Sequence, residues 1–237
     1  MVALNELGGE KARATEKTQD VCDMLLDYVT TYPNPKICFY ASDMILHVNS
    51  DATYLVQPSA WSRYAGYYYP GSQNSTNNAL NGAALIICRT IRNVVASVAE
   101  AETGGLFVNG QEIIPIRRGL DALDHPQPPN PVKTDTTTSS IFVHLNVQKR
   151  RSKTWDMRWN WLRDKETHRE LKYYWAPVKE NDADYFTKHF PPNHHQNIRP
   201  NYILKSFNIT TLHPYCVSLA SSSHVRGCVF PCAGTNG

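Results

Sequence analysis

Residues 44–69 read MILHVNSDATYLVQPSAWSRYAGYYY. Met44–Asn49 is a strand candidate that runs straight into Ser50-Asp51-Ala52. Arg63–Tyr69 is a second, rich in the tyrosines that pleated surfaces favour. The polar stretch PGSQNSTNN (70–78) reads as a loop, and Ala83–Arg89 as a third strand. Three strands on short connections predict an antiparallel meander, with Asp51 at the end of its first strand.

Working outward, Val21, Leu25, Tyr28 and Val29 have the spacing of one buried helical stripe, and the Tyr-Pro-Asn-Pro at 32–35 stops it. After the meander the period turns helical from about Val94 through Ala101 and Leu106 to Leu120. Gly104-Gly105 and Pro115 are poor interior residues and predict a kink or two consecutive helices. The proline-rich 125–131 is a rigid linker, and Val132–Asp135 a short strand ending in a carboxylate. A small helix is expected over 139–147 and another through Trp155, Trp159 and Leu162. Leu171, Tyr173 and Trp175 alternate with Lys172 and Tyr174 as a half-exposed strand, and Ala183–His189 reads as a final helix. The expected organisation is an N-terminal connector and helix (1–35), an α/β domain (36–190) and a poorly structured, largely disordered tail (191–237).

The 237 residues suffice for a substantial core. A net charge of +3 is too small to establish a nucleic-acid partner, and 41% hydrophobic residues exclude wholesale disorder. No run approaches 18 apolar residues and the first 20 carry no long apolar stretch, so neither a membrane span nor a secretory signal is expected. An intracellular location follows as the expectation: cytoplasmic, within virus-like particles, or nuclear. Cys22, Cys38 and Cys88 read as buried thiols. Cys216, Cys228 and Cys232 near His213 and His224 have zinc-ligand chemistry without the tight pairing of a structural knuckle. Four tryptophans (155, 159, 161 and 175) read as core rather than base-stacking platforms. The sequons at Asn74 and Asn208 are idle without secretion.

Four acids fall where such a fold can gather them: Asp51 and Asp135 at strand ends, Glu102 on the long helix, and Asp184 opening the last helix. Taken singly, each is as well explained by capping or solvent exposure.

The blocks around these acids resemble the ribonuclease H domain of copia-type retrotransposon polyproteins. Asn49–Ala52 followed by Ser62–Tyr69 is similar to that family's first hairpin. Val98-Ala-Glu-Ala-Glu102 resembles its S-T-E-A-E helix start, and Lys133-Thr-Asp135 its C-D-N strand end. Lys153–Trp159 through Arg163 is similar to its T-K-H-I-D-I-R-Y…R-E helix, and Asp182–Lys188 to its L-A-D-I-F-T-K ending. The resemblance runs from about residue 18 to 190 with every block in order.

What it implies is a ribonuclease H-like fold, a mixed five-stranded sheet flanked by helices, acting as a hydrolase. The activity implied is endonucleolytic cleavage of the RNA strand of RNA·DNA hybrids. Asp51, Glu102, Asp135 and Asp184 become the catalytic and metal-ligating residues for two Mg²⁺ ions, with Mn²⁺ a substitute. Glu100 lies about 200° around the helix from Glu102, so only one of them faces a common site, and the family pattern favours Glu102. Lys149, Arg150, Arg151, Lys153, Arg158 and Arg163 form a basic cluster suited to the hybrid's phosphates. The implied partners are the hybrid and the polymerase region of the same reverse-transcriptase polyprotein, of which this chain looks like the C-terminal piece.

Departures are Thr136 after the third aspartate, Thr103-Gly-Gly105 beside Glu102, and Pro115. They keep open an alternative, a catalytically inactive remnant that binds nucleic acid or packs on a polymerase. An integrase core built on Asp135 and Glu170 is a further rival that leaves Glu102 unexplained.

Overall fold

A computed structural model describes residues 1–57, 60–73, 80–135, 153–203 and 216–218. In chain order the elements are α1 (Val2–Glu10), α2 (Glu16–Thr31), β1 (Lys36–Cys38), β2 (Ile45–Gln57), β3 (Trp61–Gly71), β4 (Leu85–Ile91), α3 (Val98–Ala122), β5 (Asn130–Thr134), α4 (Lys153–Thr167), β6 (Leu171–Trp175), α5 (Pro192–Ile198) and β7 (Cys216–Ser218). Short 3-10 turns at Val178–Glu180, Asp184–Phe186 and Arg199–Asn201 complete them.

The main sheet has the order β4-β3-β2-β5-β6. β2, β3 and β4 are antiparallel neighbours, whereas β5 and β6 run parallel to β2. This is the ribonuclease H-like arrangement expected from the sequence. A separate antiparallel pair joins β1 to β7.

Strand alternation gives the sheet two buried faces. Leu46, Val48, Ala52, Tyr64 and Tyr68 point to one side, against Ala101, Leu106 and Ile113 of α3 and Leu162 of α4. Ala65, Tyr67 and Cys88 point to the other, where Val2 and Phe186 cover them.

Of the two expectations between Val94 and Leu120, a kink or two consecutive helices, the second is overturned, because Val98–Ala122 is a single helix. The glycines there are packing residues. A Cβ on Gly105 would come within 3.0 Å of the Ala52 Cβ and 3.2 Å of the Tyr64 Cβ. One on Gly110 would come within 2.9 Å of the Trp161 ring. Their absence lets α3 lie close on β2, β3 and α4. Pro115 is exposed, while the buried face through Ala101, Leu106 and Ile113 holds the helix by tertiary contact.

Asn109 pins that helix. Its side-chain amide donates to Ser50 Oγ and to the Ala65 carbonyl, both at 2.8 Å, and its Oδ1 accepts from the Tyr68 hydroxyl at 2.9 Å. A second buried amide sets the strand register. Asn130 Nδ2 donates to the Leu46 carbonyl at 3.0 Å and Arg117 Nη1 donates to Asn130 Oδ1 at 2.7 Å. β5 therefore pairs with β2 as Val48↔Val132 and Asn49↔Lys133. Two residues on, Asp51 and Asp135 come abreast.

Several expectations need correction. The α2 stripe is half-buried rather than buried, and Val29 is exposed, so the helix lies on the surface. Asp51 lies inside β2, because that strand continues to Gln57. Ala183–His189 forms one 3-10 turn instead of a helix. Only Cys88 of the three scattered thiols is buried; Cys22 and Cys38 are half-buried. Part of the expected tail is folded: α5 covers 192–198, and Tyr202 stacks on Tyr185 with its hydroxyl donating to the Asp182 carbonyl at 2.8 Å. His195 is likewise drawn in, its Nε2 lying 3.3 Å from the Tyr28 hydroxyl. The helix expected at 139–147, both sequons' threonines, His213, His224, Cys228 and Cys232 lie outside the described residues.

Candidate active site

Three of the four sequence-nominated acids converge. Each of Asp51, Glu102 and Asp135 offers a carboxylate oxygen within 4.8 Å of the others. Asp51 reaches this point from mid-β2, and Asp135 from just past the end of β5, as the Asn49↔Lys133 register requires. Glu102 comes from the first turns of α3. It sits seven residues, about two turns, before Asn109, and therefore on the face that the Asn109 amide fixes to the sheet. Glu102 is 6% exposed and Asp51 2%.

Glu100 has a different task. Its Oε2 accepts from the Ala96 amide at 2.7 Å while Ser97 Oγ accepts from the Glu100 amide at 3.2 Å, so the pair caps α3.

Asp184 stands outside the group of three, and its Oδ1 accepts from the Lys188 ammonium. The turn that carries it also carries Thr187, whose hydroxyl donates to Asp51 Oδ2. Asn181 places this turn: its Nδ2 donates to the Ser50 carbonyl at 3.0 Å, beside Asp51.

Burial pushes the Asp51 carboxyl up to about 7; the nearby Asp135 and Asp184 charges add to the rise, and the Thr187 hydroxyl and Lys188 oppose it. Asp135 is also raised, by burial first and then by Asp184. Burial disfavours the Lys188 charge, but its bond to Asp184 and the charges of Asp51, Asp184 and Asp135 together raise its pKa. One oxygen of Asp135, Oδ1, is buried without a hydrogen-bond partner among the described residues. Three hard oxygen donors, one of them orphaned and one held near neutrality by desolvation, suit a divalent cation.

Three residues that sequence reading missed complete the surroundings. Thr187 and Asn181 position the acids as described. Trp175, read as core, is instead 47% exposed, and its indole N–H donates to the Asp135 carbonyl at 2.8 Å. No periodicity signals any of the three, because each acts across more than 39 residues of sequence.

The basic cluster is placed only in part. Lys149, Arg150 and Arg151 lie outside the described residues, as does the side chain of Lys153, which opens α4. The Arg158 guanidinium lies over the Phe107 ring at 5.8 Å, on the α3 side, and Arg163 over Trp159 at 4.8 Å. The integrase pairing fails on topology. Glu170 precedes β6, one residue before the Leu171 that pairs with Asn130, so it and Asp135 lie at opposite ends of the parallel pair, about 20 Å of strand apart.

No family model matches the chain. A stretch of 170 residues, 71% of this chain, is 26% identical to the retrovirus-related Pol polyprotein from transposon TNT 1-94 of Nicotiana tabacum. Over that stretch the chain is similar to a transposon Pol polyprotein. It spans 12% of that polyprotein's length. Among solved structures it is similar to the N-terminal RNase H domain of a Mycobacterium tuberculosis protein, at 12% identity, covering 61% of this chain and 91% of that one, with a TM-score of 0.43. It is similar also to RNase H1 from Halobacterium salinarum, at 13% identity, covering 60% and 92%, with a TM-score of 0.41.

Proposed function

We propose that this retroelement segment is a copia-type ribonuclease H: an endonuclease that hydrolyses the RNA strand of RNA·DNA hybrids with the help of two divalent metal ions. The observation that carries the reading is the convergence of Asp51, Glu102 and Asp135 within 4.8 Å. These three would hold the metal, Mg²⁺ by donor chemistry with Mn²⁺ as substitute, and Asp184 is the fourth candidate ligand. When bound, divalent ions of this kind lower the pKa of an attacking water and stabilise the departing oxygen of a phosphodiester.

The chain's own residues do the rest. Trp175 holds the chain just past β5 that carries Asp135, and Asn181 holds the middle of β2 beside Asp51. Lys188 supplies a fixed positive charge beside Asp184, which offsets part of the repulsion among the acids. Arg158 and Arg163, with Lys149, Arg150, Arg151 and Lys153 before them, are assigned to the hybrid's phosphate backbone. Recognition of the RNA strand would use its 2′-hydroxyls in the wide minor groove. The polymerase region of the same polyprotein is the proposed protein partner.

A second reading, a remnant that binds nucleic acid without cutting, is favoured by one observation: Asp184 is engaged by Lys188 and stands apart from the other three acids. One experiment separates the two. The full chain is incubated with a hybrid labelled on its RNA strand, with and without Mg²⁺. Metal-dependent cleavage of the RNA strand alone is expected; binding without cleavage in either Mg²⁺ or Mn²⁺ establishes the remnant.

A further inference from the structure

Behind Asp51 lies a buried polar chain that ends on the surface of α1. The Thr187 hydroxyl has two acceptors in reach, Asp51 Oδ2 and the Asp184 carbonyl at 3.0 Å. The Asp184 carbonyl already accepts the Thr187 amide at 3.2 Å, so Asp51 Oδ2, the stronger acceptor once its carboxyl is ionised, takes the hydroxyl proton. Among the described residues this is the one hydrogen bond made to the Asp51 carboxylate. The Thr187 carbonyl is held in turn: Arg63 Nη1 donates to it at 3.1 Å and Thr53 Oγ1 at 3.4 Å. Thr187 is fully buried and Arg63 is 1% exposed.

A guanidinium so buried needs a counter-charge. It comes from outside the sheet, from Glu6 on α1, whose Oε1 accepts from Arg63 Nη2 at 2.7 Å. The same oxygen lies 2.7 Å from His189 Nε2, two residues beyond Thr187. Glu6 therefore fastens both the arginine that holds Thr187 and the chain that follows it.

We infer that Thr187 is a positioning residue for Asp51 and that the Arg63–Glu6 pair holds it there, which makes α1 part of the metal-binding apparatus. The inference rests on the nuclease reading above, since it assigns Asp51 a metal to face. Carboxylates that ligate metals are oriented by their outer hydrogen bonds, and those bonds set affinity. α1 lies in the N-terminal connector, outside the 36–190 domain expected from sequence, so a domain trimmed to those residues would lose its grip on Asp51.

The test is a calorimetric Mn²⁺ titration of the full chain without nucleic acid. Thr187→Val, which keeps the shape and removes the hydroxyl, is expected to weaken Mn²⁺ binding about tenfold, and Thr187→Ser to stay within about threefold of wild type. Glu6→Gln is expected to weaken it by at least about threefold through Arg63. The double variant Glu6→Gln/Thr187→Val should bind no more weakly than Thr187→Val alone, because one acts through the other. Wild-type affinity in Thr187→Val, equal loss in Thr187→Ser, or additive losses in the double variant would overturn the inference. Should Thr187→Val fail to fold by circular dichroism, Glu6→Gln decides, since Glu6 is at the surface; unchanged affinity there overturns it. Asp51→Asn separates the two readings. Wild-type Mn²⁺ affinity in that variant defeats the nuclease reading itself. Loss in Asp51→Asn with none in Thr187→Val defeats only the role given to Thr187.

Discussion

Replacing Asp51 by asparagine should stabilise the metal-free protein above neutral pH. A carboxyl raised from 3.8 to about 7 keeps its proton in the folded chain while the unfolded chain has lost it. Between those values the unfolded state binds fewer protons, so folding stability falls as pH rises from about 4 to about 7 and then levels off. A rise of this size corresponds to about 4 kcal/mol at ~1.4 kcal/mol per pH unit. Asp135 is also raised, by burial and by Asp184, and its charge contributes to the rise at Asp51, so removing the Asp51 charge should recover roughly 2–4 kcal/mol. For a chain of this size that is a melting temperature about 4–16 °C higher. Asparagine retains an acceptor for the Thr187 hydroxyl, so packing is conserved. The assay is thermal unfolding in EDTA at pH 4 and pH 8, for wild type and Asp51→Asn. The two should melt together at pH 4 and separate at pH 8, with the variant higher. Adding Mg²⁺ at pH 8 should raise wild type and leave the variant where it is. A variant that melts at or below wild type in EDTA at pH 8 would refute the claim that desolvation and like charge govern this carboxyl.

Further outcomes follow from the packing around the site. Glu102→Gln should lose hybrid cleavage with little change in melting. Glu100→Gln should keep cleavage, since an amide oxygen still accepts from Ala96, and move stability by less than about 1 kcal/mol in thermal unfolding. Gly105→Ala should cost about 1–3 kcal/mol by driving a methyl into Ala52 and Tyr64, and should slow cleavage because α3 carries Glu102, measured by denaturant unfolding and turnover. Asn109→Ala leaves Ser50, Tyr68 and the Ala65 carbonyl without their partner and should cost about 3 kcal/mol in the same unfolding assay. Ending the chain at residue 190 should lower the melting temperature, because it removes the Tyr202 ring from Tyr67, Tyr185 and Phe186.

The acids were legible because the family blocks carry them on elements with strong local signals. β2 and β3 are rich in strand formers and buried on both faces, α3 has a helical stripe, and these three elements deliver Asp51 and Glu102. Helical rotation lets only one of Glu100 and Glu102 face the site, the family pattern selects Glu102, and the Asn109 contacts then enforce that face. What stayed hidden depends on tertiary contact. Gly104-Gly105 reads as a break locally, yet Gly105 serves a close helix-to-sheet approach that no local pattern encodes. The 183–189 segment has helical spacing, but it is pinned as a short turn because Asn181, Thr187 and Tyr202 tie it to β2 and to its own flanks. Tyr202 sits among Ser, Pro and Asn residues that resemble a loose tail, and only its ring contacts across the sheet show that the packed chain continues past 190.

The most direct test of the central claim is cleavage of an RNA·DNA hybrid by wild type, Asp51→Asn and Glu102→Gln in parallel, with Mg²⁺ and with EDTA. The account predicts RNA-strand cleavage by wild type only, and only with Mg²⁺, with hybrid binding retained in both variants. Cleavage that persists in EDTA, or in either variant, would contradict it.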